Sequence, residues 1–444
     1  MDQKKTKKIF IETYGCQMNF SDSEIVASVL SGHGYTTTED IFLADIILVN
    51  TCSIRDNAEQ RVKKRLQHFR SMKKKNPGLI IGLLGCMADR LKTLFLEEEQ
   101  LLDIIAGPDA YRDLPRLLEQ VESGQRGVNT LLSMEETYAD ITPVRLAGNG
   151  VSAFISIMRG CENFCSYCVV PSTRGKERSR EADTIVQETK MLFEQGYREV
   201  TLLGQNVNSY KWDEGDQTIS FASLLGRIAE VNPLLRIRFA TSHPKDISDD
   251  LLKTIAAHPN ICKAIHLPVQ SGSSRVLNLM NRKYTREEYM ERVESIRRII
   301  PGCAISTDII TGFCGETEED HKETISLMKW ARFDYAFMFK YSERPMTLAA
   351  KSLKDDIPDA VKERRLTEVI DLQQTLSFKS NQQDLNRVFE VLIEGDSKRS
   401  GEHFMGRNSQ NKVAVFPKTN AKPGEYLKVK INSFTSATLL GAVV

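Results

Sequence analysis

Cys161, Cys165 and Cys168 form a C-x-x-x-C-x-x-C run directly after the apolar stretch Ala153 to Met158, with only Arg159 and Gly160 between. Three thiolates on one short loop can ligate three irons of a 4Fe-4S cluster and leave the fourth iron open to an exogenous ligand. Zinc is the alternative for such a loop, but zinc prefers four closed ligands, and no fourth Cys or His lies within a few residues.

A second triad is dispersed. Cys16 lies in Thr13-Tyr14-Gly15-Cys16-Gln17-Met18-Asn19, Cys52 in Asn50-Thr51-Cys52, and Cys86 in Leu84-Gly85-Cys86. Each follows an apolar, strand-like run, and the intervals of 36 and 34 residues each match one strand-helix unit. In a parallel sheet the C-terminal strand ends share one edge, where loops build ligand sites, so these thiols are expected to converge on a second cluster with one iron unligated by protein. A single buried cysteine at any one of these positions would be ordinary packing. Cys262, Cys303 and Cys314 have no comparable placement and are read as core or incidental loop residues. His243 and His266 could serve as acid-base groups, but structural hydrogen bonding is the simpler reading.

The elements that must position these residues are legible from periodicity. Ile9 to Ile11, Asp45 to Val49 and Leu79 to Leu84 are apolar runs separated by helical stretches, a β-α-β-α-β pattern that predicts an N-terminal three-layer domain built on a parallel sheet. Within it, Arg55 to Lys75 is amphipathic and rich in Lys and Arg, either a solvated helix face or an RNA-facing one. Six further strand-like runs alternate with helices: Ala153 to Met158, Glu199 to Leu203, Leu235 to Ala240, Cys262 to Leu267, Ala304 to Ile310 and Tyr335 to Phe339. They predict a partial parallel (β/α) barrel. Asp359 to Leu385 reads as a long connecting helix. Short alternating strands at Val388 to Ile393, Lys412 to Phe416 and Tyr426 to Ile431, split by Gly and Pro turns, predict a small antiparallel β-barrel. The expected boundaries are 1–122 for the first domain, 123–150 for a polar linker, 151–385 for the barrel with its helix, and 386–444 for the small barrel.

The chain of 444 residues is 41% hydrophobic, enough for about three cores at roughly 150 residues per domain. Sixty Lys and Arg against 59 Asp and Glu exclude a histone-like basic binder and an acidic disordered solvator. Any nucleic-acid surface must therefore be local. From Asn386 onward, nine Lys or Arg face five Asp or Glu, and Arg407, Lys412, Lys428 and Lys430 are candidate phosphate partners. No apolar run reaches membrane-spanning length and no hydrophobic signal region follows the lysine-rich start, so the expectation is a soluble cytoplasmic protein without a membrane partner. Nine cysteines, an odd number in such a chain, argue for metal or redox use of thiols over a disulfide framework.

The Cys161-Cys165-Cys168 run resembles the signature of the radical S-adenosylmethionine (SAM) superfamily, in which the open iron chelates SAM and the aromatic residue before the last cysteine, here Tyr167, lies against its adenine. The order of a three-cysteine domain, this barrel and a TRAM-like β-barrel resembles the methylthiotransferases over essentially the whole chain. Thr-Tyr-Gly-Cys-Gln-Met-Asn at Cys16, followed by Asp22-Ser23-Glu24, and Asn-Thr-Cys-Ser-Ile-Arg at Cys52 are similar to the branch acting on isopentenyladenosine next to the tRNA anticodon. Other branches act on threonylcarbamoyladenosine in tRNA or on an aspartate of a ribosomal protein.

The resemblance implies two 4Fe-4S clusters and SAM as cofactors, with methylthio added to position 2 of the adenine and sulfur delivered through the auxiliary cluster. It implies Gln205 and Asn206 at the SAM amino group, Ser242 and Gln270 at its ribose or carboxylate, and Asp308 and Phe313 along its adenine. Implied partners are tRNA, an electron donor such as flavodoxin or ferredoxin, and a sulfur donor, with the enzyme a monomer. A different class, an RNA-binding or iron-storage module with structural clusters, is disfavoured by two open coordination sites. One departure from relatives stands out: in Tyr341 to Ala349, Met346 replaces the usual Gly after Arg344-Pro345, and Leu348 the usual Pro. Loss of that Gly removes an easy φ > 0 position, so the loop is expected to be shaped differently.

Overall fold

The computed structural model describes residues 6–52, 56–90, 101–146 and 148–444, with side chains left undescribed at 53–60, 63, 89 and 90. Arg55, Ser53 and Ile54 of the sequence motifs lie outside the described residues. The chain divides into two compact units. One contains 1–147 together with Met158–Glu162 and Val169–Arg180, and the other contains Gly148–Ile157, Asn163–Cys168 and Glu181–Val444.

The first unit is built on a parallel sheet of, among the described residues, six strands: β1 (Lys8–Thr13), β2 (Thr36–Thr37), β3 (Ile46–Asn50), β4 (Ile80–Leu84), β5 (Ile104–Ala106) and β6 (Gly127–Asn129), in the order β2-β1-β3-β4-β5-β6. Every residue of β3 and β4 is buried, the signature of central strands covered on both faces. One face packs Ile25, Val26 and Leu30 of the helix Gln17–Ser31 with Leu114, Leu117 and Leu118 of the helix Leu114–Glu122. The other packs Val62, Leu66 and Phe69 of the helix Asp56–Lys75. These apolar residues recur at helical spacing, so that helix serves as a core layer with a basic outer face. The sheet has the expected three layers, yet it draws β6 from residues expected to be linker, and Tyr138 from the same stretch is buried in the core. Val169–Arg180, expected with the barrel, packs in this unit.

The second unit contains the six expected barrel strands. β7 (Ser152–Ser156), β8 (Glu199–Leu203) and β9 (Arg236–Phe239) pair in parallel, as do β10 (Ala264–His266), β11 (Ala304–Thr311) and β12 (Tyr335–Lys340). A parallel bridge between Ile237 and Ile261 joins the two halves. An antiparallel hairpin, Lys211–Glu214 with Gln217–Ser220, is inserted after β8. The helix Asp359–Gln382 is a packed element and not a free connector: Gln373 Nε2 donates to Phe333 O at 2.9 Å and Ser377 Oγ to Asp334 O at 2.8 Å.

The C-terminal strands β13 (Val388–Ser397), β14 (Ser400–Arg407), β15 (Val413–Pro417), β16 (Tyr426–Phe434) and β17 (Leu439–Val443) close into a barrel in the order β13-β14-β15-β17-β16. Its core is Val391, Ile393, Phe404, Phe416, Val429 and Ile431. The barrel is bonded to the rest of the unit: Arg238 Nη2 donates to Asn408 O at 2.9 Å, Asn381 Nδ2 to Thr435 O at 2.8 Å, and the Tyr426 hydroxyl to Leu234 O at 3.0 Å. This corrects part of the charge reading. Lys412 is committed to Asp384 at 2.7 Å and Arg407 to Glu394 at 2.6 Å, whereas Lys428 and Lys430 are exposed.

The loop after β10 lies hard against the helix Glu318–Ala331. A Cβ on Gly272 would sit 2.5 Å from Thr324 Cα and 2.6 Å from Glu323 O. Backbone on both sides cannot yield as a side chain would. Gly272→Ala is therefore expected to lower unfolding stability by about 1–3 kcal/mol, measured as a reduced urea midpoint; an unchanged midpoint would show that the two segments separate freely.

Candidate functional site

In the first unit Cys16, Cys52 and Cys86 stand just beyond the C-terminal ends of the adjacent strands β1, β3 and β4, as the spacing required. Buried amides shape this edge. Cys16 Sγ donates to Asn19 Oδ1 at 3.1 Å, Asn19 Nδ2 to Asn50 Oδ1 at 3.1 Å, and Asn50 Nδ2 to Ser23 Oγ at 3.0 Å. Gly15 approaches Cys52 so closely that a Cβ there would collide with the Cys52 Cβ. Hydrogen bonding with Cys52, and then Arg174, draw the Cys16 thiol down to about 6 against the effect of burial. Burial pushes the Cys86 thiol up, partly offset by Arg174.

Behind these thiols lies a charge cluster that pattern reading missed. Asp22, fully buried, accepts from Arg159 Nη1 at 2.8 Å and from Arg174 Nη2 at 2.7 Å. Arg174 Nε also lies 3.2 Å from Cys86 Sγ. Asp109 pairs with Arg178 at 3.0 Å and Arg159 at 3.6 Å, and the Arg159 guanidinium stacks over Tyr138 at 4.9 Å. Burial alone would raise the Asp22 carboxyl, but Arg159 and Arg174 outweigh it and hold it below the usual carboxylate range. The only sequence signal was the density of arginines flanking the Cys161 loop. With three guanidiniums sharing two carboxylates, the cluster favours anionic thiolates beside it and so fits an iron-sulfur group held by Cys16, Cys52 and Cys86.

The Cys161 loop divides between the units: Cys161, in the first, donates its N–H to Gly175 O at 3.1 Å. Cys165 and Cys168 belong to the second, where Cys168 N–H donates to Cys165 O at 3.0 Å. That segment is held from two sides. Ser166 N–H donates to Met280 O at 3.0 Å, Ser166 Oγ to Leu279 O at 2.8 Å, and Asn281 Nδ2 to Phe164 O at 2.8 Å. Ala349 N–H, from the loop that departs from its relatives, donates to Ser166 O at 2.7 Å. That loop keeps its left-handed turn: Met346 has φ 70°, so the conformation glycine would adopt freely is adopted here with a side chain. Tyr167 meets Phe313 edge-on at 6.5 Å, and Phe313 meets Tyr341 at 4.9 Å. Among the described residues no group of three or more His, Cys, Asp or Glu converges on a single metal ion. A cubane does not require such convergence, because each thiolate binds a different iron.

The strand-end loops of the second unit carry buried polar atoms without partners: Gln205 Oε1, Asn206 Oδ1, both Asn208 amide atoms, Ser242 Oγ and His243 Nε2. Buried polar atoms are normally bonded, so this group fits a polar ligand such as the ammonium, carboxylate and ribose of SAM. Asn206 Nδ2 is already committed to Asp246 at 2.7 Å, leaving its carbonyl as the free end. Burial, then Arg282 and Lys245, push His243 down to about 2, so its ring is neutral. Gln270 is buried at φ 76° and bridged to Ile309. Asp308 instead faces His266 Nε2 at 3.4 Å, and His266 Nδ1 lies 3.0 Å from Ser306 Oγ.

Three family models match: the Radical SAM superfamily over residues 155–328, the Uncharacterized protein family UPF0004 over 8–107, and the TRAM domain over 382–444. A tRNA-2-methylthio-N(6)-dimethylallyladenosine synthase of Amoebophilus asiaticus is 58% identical, over 99% of this chain and 93% of that protein. A second so named, from Parabacteroides distasonis, is 56% identical over 100% of this chain and 96% of the relative. The fold is shared with a radical S-adenosylmethionine methyltransferase, TsrM, from Kitasatospora setae, solved with cobalamin and a [4Fe-4S] cluster, at TM-score 0.57 and 13% identity over 77% of each chain.

Removing a carboxylate that two buried guanidiniums share should be costly. Asp22→Asn is expected to destabilise the first unit by about 3–5 kcal/mol at neutral pH, the cost of an uncompensated buried charge, read by denaturant unfolding of the full chain. A loss below about 1 kcal/mol would show that water reaches the cluster and carries the charge.

Proposed function

Because the chain belongs to the tRNA-2-methylthio-N(6)-dimethylallyladenosine synthase family, we propose that it is a radical SAM methylthiotransferase that replaces the C2 hydrogen of N6-dimethylallyladenosine in tRNA with a methylthio group. The observation that carries this reading is identity above half over the whole chain, together with two separate three-thiol sites in the one sequence. An aromatic C–H is beyond the reach of side-chain acids and bases, so cofactors must supply the reactivity. When bound, they supply reductive cleavage of SAM at one site and transferable sulfur at the other.

The chain's own residues bind and orient. Cys161, Cys165 and Cys168 hold the first cluster, and Cys16, Cys52 and Cys86 the auxiliary one. Gln205, Asn206 and Ser242 present buried, unpartnered polar atoms to SAM, and the buried Gln270 is assigned to its ribose or carboxylate. Phe313 holds Tyr167 edge-on against the adenine side. Asp308 is better matched to orienting His266 than to a direct SAM contact. The proposed domains are 1–122 for the auxiliary cluster, joined through 123–150 to 151–385 for the radical SAM core with its helix, and 386–444 for the RNA-binding barrel. Electrons come from a flavodoxin or ferredoxin and sulfur from a separate donor. The enzyme works as a monomer in the cytoplasm, where its tRNA is; no helix among the described residues is long and apolar enough to cross a membrane.

Anaerobic reconstitution is expected to load about eight irons and eight sulfides per chain, since two cubanes each need four of both. Replacing Cys161, Cys165 and Cys168 by Ala should halve the iron and abolish SAM cleavage. Replacing Cys16, Cys52 and Cys86 should also halve the iron, but leave 5′-deoxyadenosine formation intact while methylthiolated tRNA disappears. Product at the normal yield from that second variant would contradict the assignment of the auxiliary site. For RNA binding, Lys428→Gln with Lys430→Gln should weaken tRNA affinity and flatten the plot of log K against log salt by roughly 0.7–0.9 per lysine. An unchanged slope would move the RNA surface away from β16.

A further inference from the structure

Arg282 is a cation placed where a protein interior does not tolerate one. It is 4% exposed, and its partners are Tyr284 Oη at 2.9 Å from Nε, Pro268 O at 2.6 Å from Nη2, and Cys165 Sγ at 3.3 Å and Tyr167 Oη at 3.4 Å from Nη1. All are formally neutral when the thiol is protonated. Among the described residues no carboxylate pairs with it, in contrast to four other buried arginines: Arg159 and Arg174 have Asp22, Arg238 has Glu199 at 2.8 Å, and Arg365 has Glu316 at 2.8 Å. A guanidinium stays protonated under all ordinary conditions, so burial cannot be relieved by losing the charge. An uncompensated buried ion costs several kcal/mol in a protein interior. Sequence position explains nothing here, since Arg282 follows the helix Ser274–Leu279 with no partner of opposite sign at helical spacing.

The missing anion is supplied at the one point where the guanidinium touches a metal-binding thiol. We propose that Arg282 is the built-in counter-charge of the cluster held by Cys161, Cys165 and Cys168, an inference that rests on that site binding a 4Fe-4S group. Three thiolates outweigh the positive charge of the cubane core, and one-electron reduction by an external low-potential donor adds a further negative charge to it. A fixed cation hydrogen-bonded to one ligand sulfur therefore stabilises the reduced state more than the oxidised state, and raises the reduction potential. Arg282 acts through Cys165 on the cluster and is a positioning residue, anchored by Pro268 O and Tyr284 Oη so that Nη1 stays directed at the sulfur.

The test uses the full-length chain with Cys16, Cys52 and Cys86 replaced by Ala, so that only this cluster is present, and compares Arg282→Met and Arg282→Lys with it. Iron is counted, and the reduced cluster is quantified by electron paramagnetic resonance at a fixed poise where the parent is half reduced. Arg282→Met is expected to show a reduced-to-oxidised ratio about tenfold lower, equivalent to 59 mV for one electron, while Arg282→Lys stays near the parent. Iron loading with an unchanged ratio in Arg282→Met would overturn the proposal, as would a ratio in Arg282→Lys as low as in Arg282→Met. A parent that loads no iron would instead refute the cluster site itself, and with it this inference.

Discussion

A buried guanidinium must share its charge with an anion, and this constraint governs both cysteine sites. In the first unit it is met by Asp22 and Asp109, which hold Arg159, Arg174 and Arg178 around the thiols at the ends of β1, β3 and β4. Arg174 adds Cys86 to that set, so an anionic ligand beside the thiols completes the balance. In the second unit Arg282 has only neutral oxygens and a thiol. The sheets bring the cysteines to the edges of parallel strands, and the arginines make those edges hospitable to a metal group carrying net negative charge.

A few residues of the second unit hold one short cysteine-bearing segment in place. Residues 164–168 are gripped by backbone and amide hydrogen bonds from Leu279, Met280, Asn281 and Ala349. Ala349 follows the turn at Met346, whose backbone is left-handed without glycine. Nearby, the unpartnered atoms of Gln205, Asn206, Ser242 and His243 leave hydrogen-bonding capacity at the strand ends, the usual location of ligand sites in parallel α/β folds.

Periodicity carried the six barrel strands and the three longest strands of the N-terminal sheet, because continuous apolar runs and strand-helix alternation are local signals. It did not carry β2, of two residues, or β5 and β6, of three each, the last of which, Gly127-Val128-Asn129, lies within a stretch whose composition is that of a linker. The placement of the dispersed thiols just past neighbouring strand ends was legible because near-equal spacing in a parallel sheet implies a shared edge. The charge cluster was not: Asp22 and Arg174 are 152 residues apart, and nothing in a lone aspartate announces its partners. Lys412 and Arg407 show the converse, where a count of basic residues could not reveal that Asp384 and Glu394 had already engaged them.

What the enzyme does to tRNA decides its function. The most direct measurement is a mass spectrum of tRNA nucleosides from a strain lacking this gene beside its parent. Loss of the 2-methylthio form, with N6-dimethylallyladenosine accumulating in its place, is the predicted result. An undiminished 2-methylthio-N6-dimethylallyladenosine peak, or loss of methylthio from threonylcarbamoyladenosine instead, would contradict it.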